Sequence, residues 1–153
     1  MFHEMRRKDR ELDYTEAEKI LSQGEYGILS TVDGDGCPYG VPISYAYADG
    51  IIYFHCAKDV GLKVENIRRQ PQVCFTVVGD TEVLPEKFST KYNSAIAFGT
   101  AREAQDKHLG LRLLQEKYSP SFSKEGLEYA DKAIHQVTVY EITIEHLTAK
   151  GRR

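Results

Sequence analysis

A short run of polar residues follows the third β-rich segment of the chain. It contains His55, Cys56 and Lys58 and continues, after a short loop, to Gly61 and Lys63. A lysine ammonium beside the free N–H groups at the start of a helix suits a phosphate group. A histidine beside such a site can change its charge near neutral pH. The run therefore predicts an anion site.

Each of these residues also has a simpler interpretation. Lys58 and Lys63 are consistent with solvated lysines in a loop and on an exposed helix. His55 is equally consistent with a strand-end histidine whose hydrogen bond is satisfied, and Cys56 with a small buried cysteine. The residue types alone leave both interpretations open.

Two Asp-Gly turns mark the strands that position this cluster. Asp33–Gly36 and Asp49–Gly50 separate three predicted strands, which are Tyr26–Val32, Pro38–Tyr47 and Ile51–Cys56. Gly40 and Pro42 indicate that the second strand is an irregular edge segment. A helix is predicted from Gly61 to Gln70, where Pro71 ends it.

The remaining segments complete a mainly β pattern. Thr15 and Glu18 form a capping-box pattern for a helix at Glu16–Ser22, which Gly24 ends. Further predicted elements are a strand Gln72–Val78, a loop Gly79–Ser89, a strand Lys91–Ala104, helices Asp106–Tyr118 and Lys124–Ile134, and a strand Val137–Leu147. About six strands and four short helices predict one β-barrel domain, residues 1–153, with peripheral helices.

Composition excludes several classes of protein. A net charge of −3 argues against a dedicated nucleic-acid-binding protein. No apolar run approaches a membrane span, and the N-terminal residues lack the apolar core of a signal peptide. Three cysteines without a C-x-x-C motif favour a reduced, cytoplasmic setting. The five histidines are scattered, so no metal site is expected, and neither a dinucleotide-binding nor a phosphate-loop motif is present.

With these segments placed, the sequence resembles the FMN-binding split β-barrels related to pyridoxamine 5′-phosphate oxidase, in particular the 5-nitroimidazole-resistance (Nim-like) branch. The resemblance rests on five segments, RRKDREL, GEYGILSTVDGDGCPYGVPISY, IYFHCAKDVGLKVENI, VCFTVVGDTEVLPEKFSTKYNSAIAFGTA and YEITIEHLTAK. It implies a six-stranded split barrel of Greek-key type. It also implies a homodimer with two FMN sites at the subunit interface, and reduction of a small molecule of the nitroimidazole or nitroaromatic class.

The resemblance also assigns the site residues. Those expected at the flavin are Val41, Pro42, Ile43, Ser44, His55, Cys56, Ala57, Lys58, Leu62, Lys63, Tyr92, Asn93 and Ser94. Lys63 matches the phosphate-contacting lysine, and residues 41–44 match the strand along the ring edge. His55 matches a histidine near the flavin and is the candidate catalytic residue, which would hydrogen-bond the ring or relay protons. Residues 92–94 match a segment that reaches the flavin across the dimer. Leu62 departs from the family, in which this position is often basic or His, and removes one phosphate contact.

Two alternative functions remain from different classes. One is a flavin-binding module without catalysis, and the other is a haem-binding split barrel with His55 as an axial ligand. Oxidation of pyridoxamine phosphate is disfavoured, because the chain ends in HLTAKGRR where those enzymes have a longer basic segment. The cofactor expected is FMN.

Overall fold

The computed structural model describes all residues from 1 to 153 and is dominated by one antiparallel sheet. The sheet has eight strands: β1 Glu11–Leu12, β2 Gly27–Val32, β3 Pro38–Ile43, β4 Ala46–Ala48, β5 Ile51–Ala57, β6 Gln72–Leu84, β7 Ser89–Glu103 and β8 Val137–Arg152. The helices are α1 Tyr14–Gln23, α2 Leu62–Arg69, α3 Lys107–Tyr118 and α4 Ser123–Ala133. The expected mainly β split barrel with peripheral helices is confirmed. Six long strands form it, and two short ones are added.

The strand order explains why the barrel is split. The order is β3-β2-β6-β7-β8-β5-β4, with β1 paired to the far end of β8. The two edge strands, β3 and β4, are consecutive in the chain and are joined by only Ser44 and Tyr45. The sheet is therefore not closed by hydrogen bonds, and the chain itself crosses the gap between its edges.

One apolar core fills the barrel. Large side chains that are completely buried include Leu29, Phe54, Phe75 and Ile142. Helices α1 and α2 add five apolar side chains to this core: Ala17, Ile20, Leu21, Val64 and Ile67. A second, smaller core lies on the outer face of β5 and β8, under α3 and α4, and contains Ala104, Leu111, Ala130 and Val139.

The close approach of β7 and β8 depends on Gly99. A Cβ atom at this position would lie 2.2 Å from the carbonyl oxygen of Thr143. The pairing of the two strands shifts by one residue between Phe98 and Gly99, as in a β-bulge. With Ala95 and Ala97 fully buried beside it, the small-residue run predicted from the sequence permits close packing of the barrel wall.

Three sequence predictions of local structure are wrong. Helix α1 begins after Asp13, whose carboxylate accepts a 2.9 Å hydrogen bond from the N–H of Glu16, and Thr15 lies inside the helix. The predicted loop Gly79–Ser89 is largely strand, because β6 and β7 continue as a long hairpin with an irregularity between Gly79 and Glu82. The predicted strand Pro38–Tyr47 is two strands, since the chain changes its pairing partner from β2 to β5 at Ser44 and Tyr45.

The other predicted boundaries agree to within a few residues. Gly24 is the C-terminal cap of α1, and the turn at Asp49–Gly50 has positive φ at both positions. Strand β8 extends five residues past Leu147 to Arg152, where it pairs with Tyr92. No helix of the structure combines the length and apolarity needed to cross a membrane.

Candidate functional site

The gap between β3 and β4 is held by the C-terminal end of α3. The N–H of Tyr45 donates to the hydroxyl of Tyr118 at 3.0 Å, and the carbonyl of Tyr45 accepts from the ammonium of Lys117 at 2.9 Å. The Tyr118 hydroxyl also donates to the carbonyl of Glu25 at 2.6 Å. These contacts satisfy backbone groups that lack a sheet partner, so the conformation of the neighbouring Ser44 is fixed by α3.

The side chain of Lys117 is partly buried, and its ammonium group loses its proton more readily than that of an exposed lysine. Its ammonium lies 3.7 Å from the centroid of the Tyr45 ring, and burial lowers its pKa to about 8. In the unfolded chain a lysine titrates near 10.4, so between these values the unfolded chain binds more protons than the folded protein. Stability contributed by this group therefore increases as pH rises from about 8 toward 10.

We expect Lys117→Met to remove this pH dependence. The wild-type free energy of unfolding should gain about 1 kcal/mol between pH 8 and pH 9 relative to the variant. Urea denaturation at pH 7, 8 and 9 measures it, with Lys132→Met as the matched control on an exposed position of α4. Parallel pH profiles for wild type and Lys117→Met would contradict a buried, weakly basic Lys117.

Residues 41–44 alternate between the core and the outside of the barrel. Val41 and Ile43 pack against the main core, whereas Pro42 and Ser44 are exposed. Ser44 lines the same cavity as His55 of β5, on the outer face of the sheet. The structure therefore brings Ser44 and His55 together, while the side chains of Val41 and Ile43 are partly buried against the main core.

His55 is exposed to the cavity, but protein atoms surround much of its imidazole ring. The residue is exposed on the cavity side, yet the protein around its imidazole lowers its pKa below the usual value. At pH 7 the ring is therefore uncharged, with one N–H donor and one acceptor nitrogen. Such a ring is a better hydrogen-bond partner than a general acid at this pH, because a neutral imidazole has no readily released proton.

The start of α2 has the features of an anion site. Gly61, with φ of 103°, caps the helix in a conformation that glycine tolerates and other residues rarely adopt. The N–H groups of Leu62 and Lys63 have no backbone acceptor, whereas that of Val64 donates to the carbonyl of Gly61 at 3.1 Å. The ammonium of Lys63 lies 3.9 Å from where a Cβ on Gly61 would be. Backbone donors and one cation thus occupy one small region.

A buried hydrogen bond fixes α2 to the barrel. The side-chain amide of Asn66 donates to the hydroxyl of Thr31 on β2 at 3.0 Å, and both residues are only 1% exposed. Because neither group can be hydrated, this bond restrains the rotation of α2. The first turn and Lys63 are held in place as a result.

The other predicted residues near α2 differ in orientation. The Cys56 side chain lies in the main core, and burial raises the pKa of its thiol, so only its backbone remains available to a ligand. Ala57, Lys58 and Leu62 are exposed on the outside. The N–H of Lys58 is used by the carbonyl of Gln136 at 3.2 Å, which leaves the Lys58 side chain as the group able to reach an anion.

Residues 92–94 are not brought to the same place within one chain. They lie on β7, whereas Ser44 follows β3 at the sheet edge and His55 lies on β5. Tyr92 and Asn93 line a depression with Lys19 and Arg152, and Ser94 lines another. None of the three lines the cavity that contains Ser44 and His55.

Sequence reasoning missed the cavity beside His55. Its volume is about 510 Å³, and α3, α4 and the segment between them supply most of its walls. The amphipathic pattern of Asp106–Tyr118 predicted the helix, but not the surface that it covers. An available signal was the aromatic content of α3, α4 and the segment between them, where Tyr118, Phe122 and Tyr129 remain substantially exposed. No group of three or more metal-ligating side chains lies close enough to hold a metal ion.

Residues 13–151 match the family model described as pyridoxamine 5′-phosphate oxidase. The chain belongs to this family. No curated protein matches the chain significantly. The matched residues include every predicted site residue from Val41 to Ser94.

Solved structures support the fold assignment. A candidate 5-nitroimidazole antibiotic resistance protein from Bacteroides thetaiotaomicron is 24% identical, with 92% of this chain and 86% of that chain covered and a TM-score of 0.78. A FAD-binding protein from Mesorhizobium loti is 24% identical, with 94% and 98% covered and a TM-score of 0.67. A FAD and haem binding protein from Mycobacterium smegmatis is 16% identical, with 92% and 72% covered and a TM-score of 0.75. At these identities the likeness concerns the fold.

Proposed function

We propose that this member of the pyridoxamine 5′-phosphate oxidase family binds FMN and is a flavin-dependent oxidoreductase for small molecules. The observation that carries the proposal is the anion site at the start of α2, formed by Lys63 and free backbone donors. It lies one short loop after β5, the strand that carries His55. Phosphate and ring would thus be held by neighbouring elements, as a flavin mononucleotide requires.

The residues present fit both parts of such a cofactor. The phosphate would accept hydrogen bonds from the Lys63 ammonium and the first N–H groups of α2, with Lys58 in reach from the loop. The polar edge of the ring would face Ser44, the backbone of Val41–Ile43 and the uncharged His55. Leu62 contributes no charge, so Lys63 is the principal cation expected at the phosphate.

When bound, a flavin supplies hydride and electron transfer, while the protein provides binding, orientation and electrostatics. For a nitroaromatic substrate and a reduced nicotinamide donor, the two-electron reaction is Ar–NO₂ + NAD(P)H + H⁺ → Ar–NO + NAD(P)⁺ + H₂O. His55 would donate a hydrogen bond from its neutral ring and thereby orient the ring or the substrate. The proton taken up in the reaction would come from solvent, and His55 is the residue positioned to relay it.

We further propose a homodimer in which Tyr92, Asn93 and Ser94 of one protomer complete the flavin site of its partner. The support is geometric, since these residues line different depressions from Ser44 and His55 within one chain. In addition, the Nε2 atom of His146 is buried without a hydrogen-bond partner in the depression that contains Ser94. Light scattering of the purified protein should give twice the 17.4 kDa chain mass, and a monomer that binds FMN fully would overturn the shared site.

The experiment that tests the cofactor is a visible absorption spectrum of the purified protein, followed by identification of the released chromophore. Flavin bands and free FMN after denaturation are expected. A Soret band lost in His55→Ala would instead establish haem ligation. A colourless protein that does not bind added FMN would overturn the proposal.

Catalysis is tested separately from binding. Anaerobic protein reduced with dithionite is mixed with a nitroaromatic compound, and reoxidation is followed by absorbance. Reoxidation that saturates with the nitro compound supports the oxidoreductase. Tight FMN binding without it would establish a flavin-binding module that lacks this activity.

A further inference from the structure

The cavity between α3 and α4, here called the α3–α4 cavity, has a mainly apolar wall. Leu111 and Leu114 come from α3, Tyr129 from α4, and Phe122 from the segment between the helices. Phe122 and Tyr129 are 61% and 68% exposed, so flat faces of aromatic rings are available at the opening. Such faces pack well against another flat apolar molecule.

The charge of the cavity lining is as informative as its shape. No lysine or arginine lines it, and Glu125 is its only formally charged residue. By contrast, the depression beside Tyr92 contains four cationic residues, Lys19, Lys91, Arg152 and Arg153, together with Glu16, Asp80 and Glu82. An anionic group placed in the α3–α4 cavity would lose hydration without a cation in the lining to compensate, and it would be repelled by Glu125. The ammonium of Lys117 lies 5.2 Å from the ring centroid of Tyr118, but it donates its hydrogen bond to the carbonyl of Tyr45 at 2.9 Å.

The cavity lining also contains polar residues. Gln115, Tyr118 and Ser119 come from α3 and the residue after it, and Ser44 and His55 come from the sheet side. Because Ser44 and His55 are also assigned to the flavin edge in the proposed function, a molecule in the cavity would contact residues that border the ring. The position is suitable for a substrate that exchanges electrons with the cofactor.

We propose that the α3–α4 cavity is the substrate site of this protein, that it takes uncharged, flat aromatic molecules, and that Glu125 excludes anions. This inference rests on the proposed flavin-dependent function. It also implies that phosphorylated substrates, including pyridoxamine 5′-phosphate, do not enter this cavity. The α3–α4 hairpin thus determines the specificity of the protein.

The test compares two probes of nearly equal shape, neutral 4-nitrobenzyl alcohol and anionic 4-nitrobenzoate. Calorimetric titration of the flavin-loaded protein at pH 7 should give about tenfold weaker binding of the anion. Charge reversal in Glu125→Lys should reduce the ratio of the two dissociation constants, anion to neutral probe, about fivefold, because a cation then lies at the cavity. The matched control is Glu128→Lys, on an exposed position of the same helix outside the cavity lining, where the ratio should not change.

The outcomes separate this inference from the proposed function. Equal binding of the two probes, or equal effects of Glu125→Lys and Glu128→Lys, would overturn the cavity as a charge-selective substrate site even if FMN is bound. Selective binding of the neutral probe by a protein that holds no flavin would support the cavity and overturn the flavin-dependent reaction. A second test fills the cavity with a larger side chain. Ala133→Leu should raise the dissociation constant of the neutral probe at least fivefold while FMN remains bound.

Discussion

Gly99→Ala is expected to destabilise the protein by more than about 3 kcal/mol, or to prevent soluble expression. The added methyl group would lie 2.2 Å from the backbone oxygen of Thr143 and 3.0 Å from the Cγ2 atom of Ile142. Neither atom can move freely, because both belong to β8 at its pairing with β7. Relief of the clash therefore requires separation of two central strands.

Urea denaturation measures this effect, with Gly40→Ala as the control. A Cβ at Gly40, on edge strand β3, would lie 3.4 Å from the Cγ2 atom of Ile28, which is close to ordinary contact. We expect that variant to remain within about 1 kcal/mol of wild type. If Gly99→Ala unfolds at the same urea concentration as Gly40→Ala, the close approach of β7 and β8 is wrong.

Lys63→Ala is expected to raise the dissociation constant of FMN by about 10- to 100-fold. The reason is the loss of one charge-assisted hydrogen bond to the phosphate, which contributes about 1.5–3 kcal/mol. Titration of apoprotein with FMN, followed by quenching of flavin fluorescence, measures the change. Lys63→Arg should retain most of the affinity, because it preserves the charge.

Riboflavin, which lacks the phosphate, is the sharpest control for this prediction. Its affinity should be the same in wild type and Lys63→Ala if Lys63 contacts only the phosphate. Lys58→Ala should weaken FMN by a smaller factor, about threefold, because the Lys58 side chain is exposed in a loop. Equal losses for FMN and riboflavin in Lys63→Ala would indicate damage to α2 and would contradict a phosphate contact.

Much of the fold followed from local sequence signals. The Asp-Gly turn at residues 49–50 requires positive φ at both positions, and glycine and aspartate adopt it. The β-branched and aromatic residues of Ile51–Cys56 and the alternation in Val137–Leu147 predicted two strands, and the structure contains them as β5 and β8. These preferences depend on only a few neighbouring residues, so the same turns and strands form in many tertiary structures. Errors arose where two interactions compete, as at α1, where Asp13 caps the helix although Thr15 matches the capping pattern.

Some features of the candidate site also follow from the local sequence, and others depend on the tertiary structure. The sequence by itself determined the cluster of His55, Gly61 and Lys63, because one strand, one loop and the first turn of one helix contain all three. Only the tertiary structure decided that Ser44 joins His55, that the Cys56 thiol lies in the core, and that Tyr92–Ser94 lie elsewhere. It alone also decided that α3 closes the gap at Tyr45 and forms a cavity with α4. The contacts of Tyr45 with Lys117 and Tyr118 join residues 72 and 73 positions apart, and they are selected by packing and by unpaired backbone groups that no local pattern records.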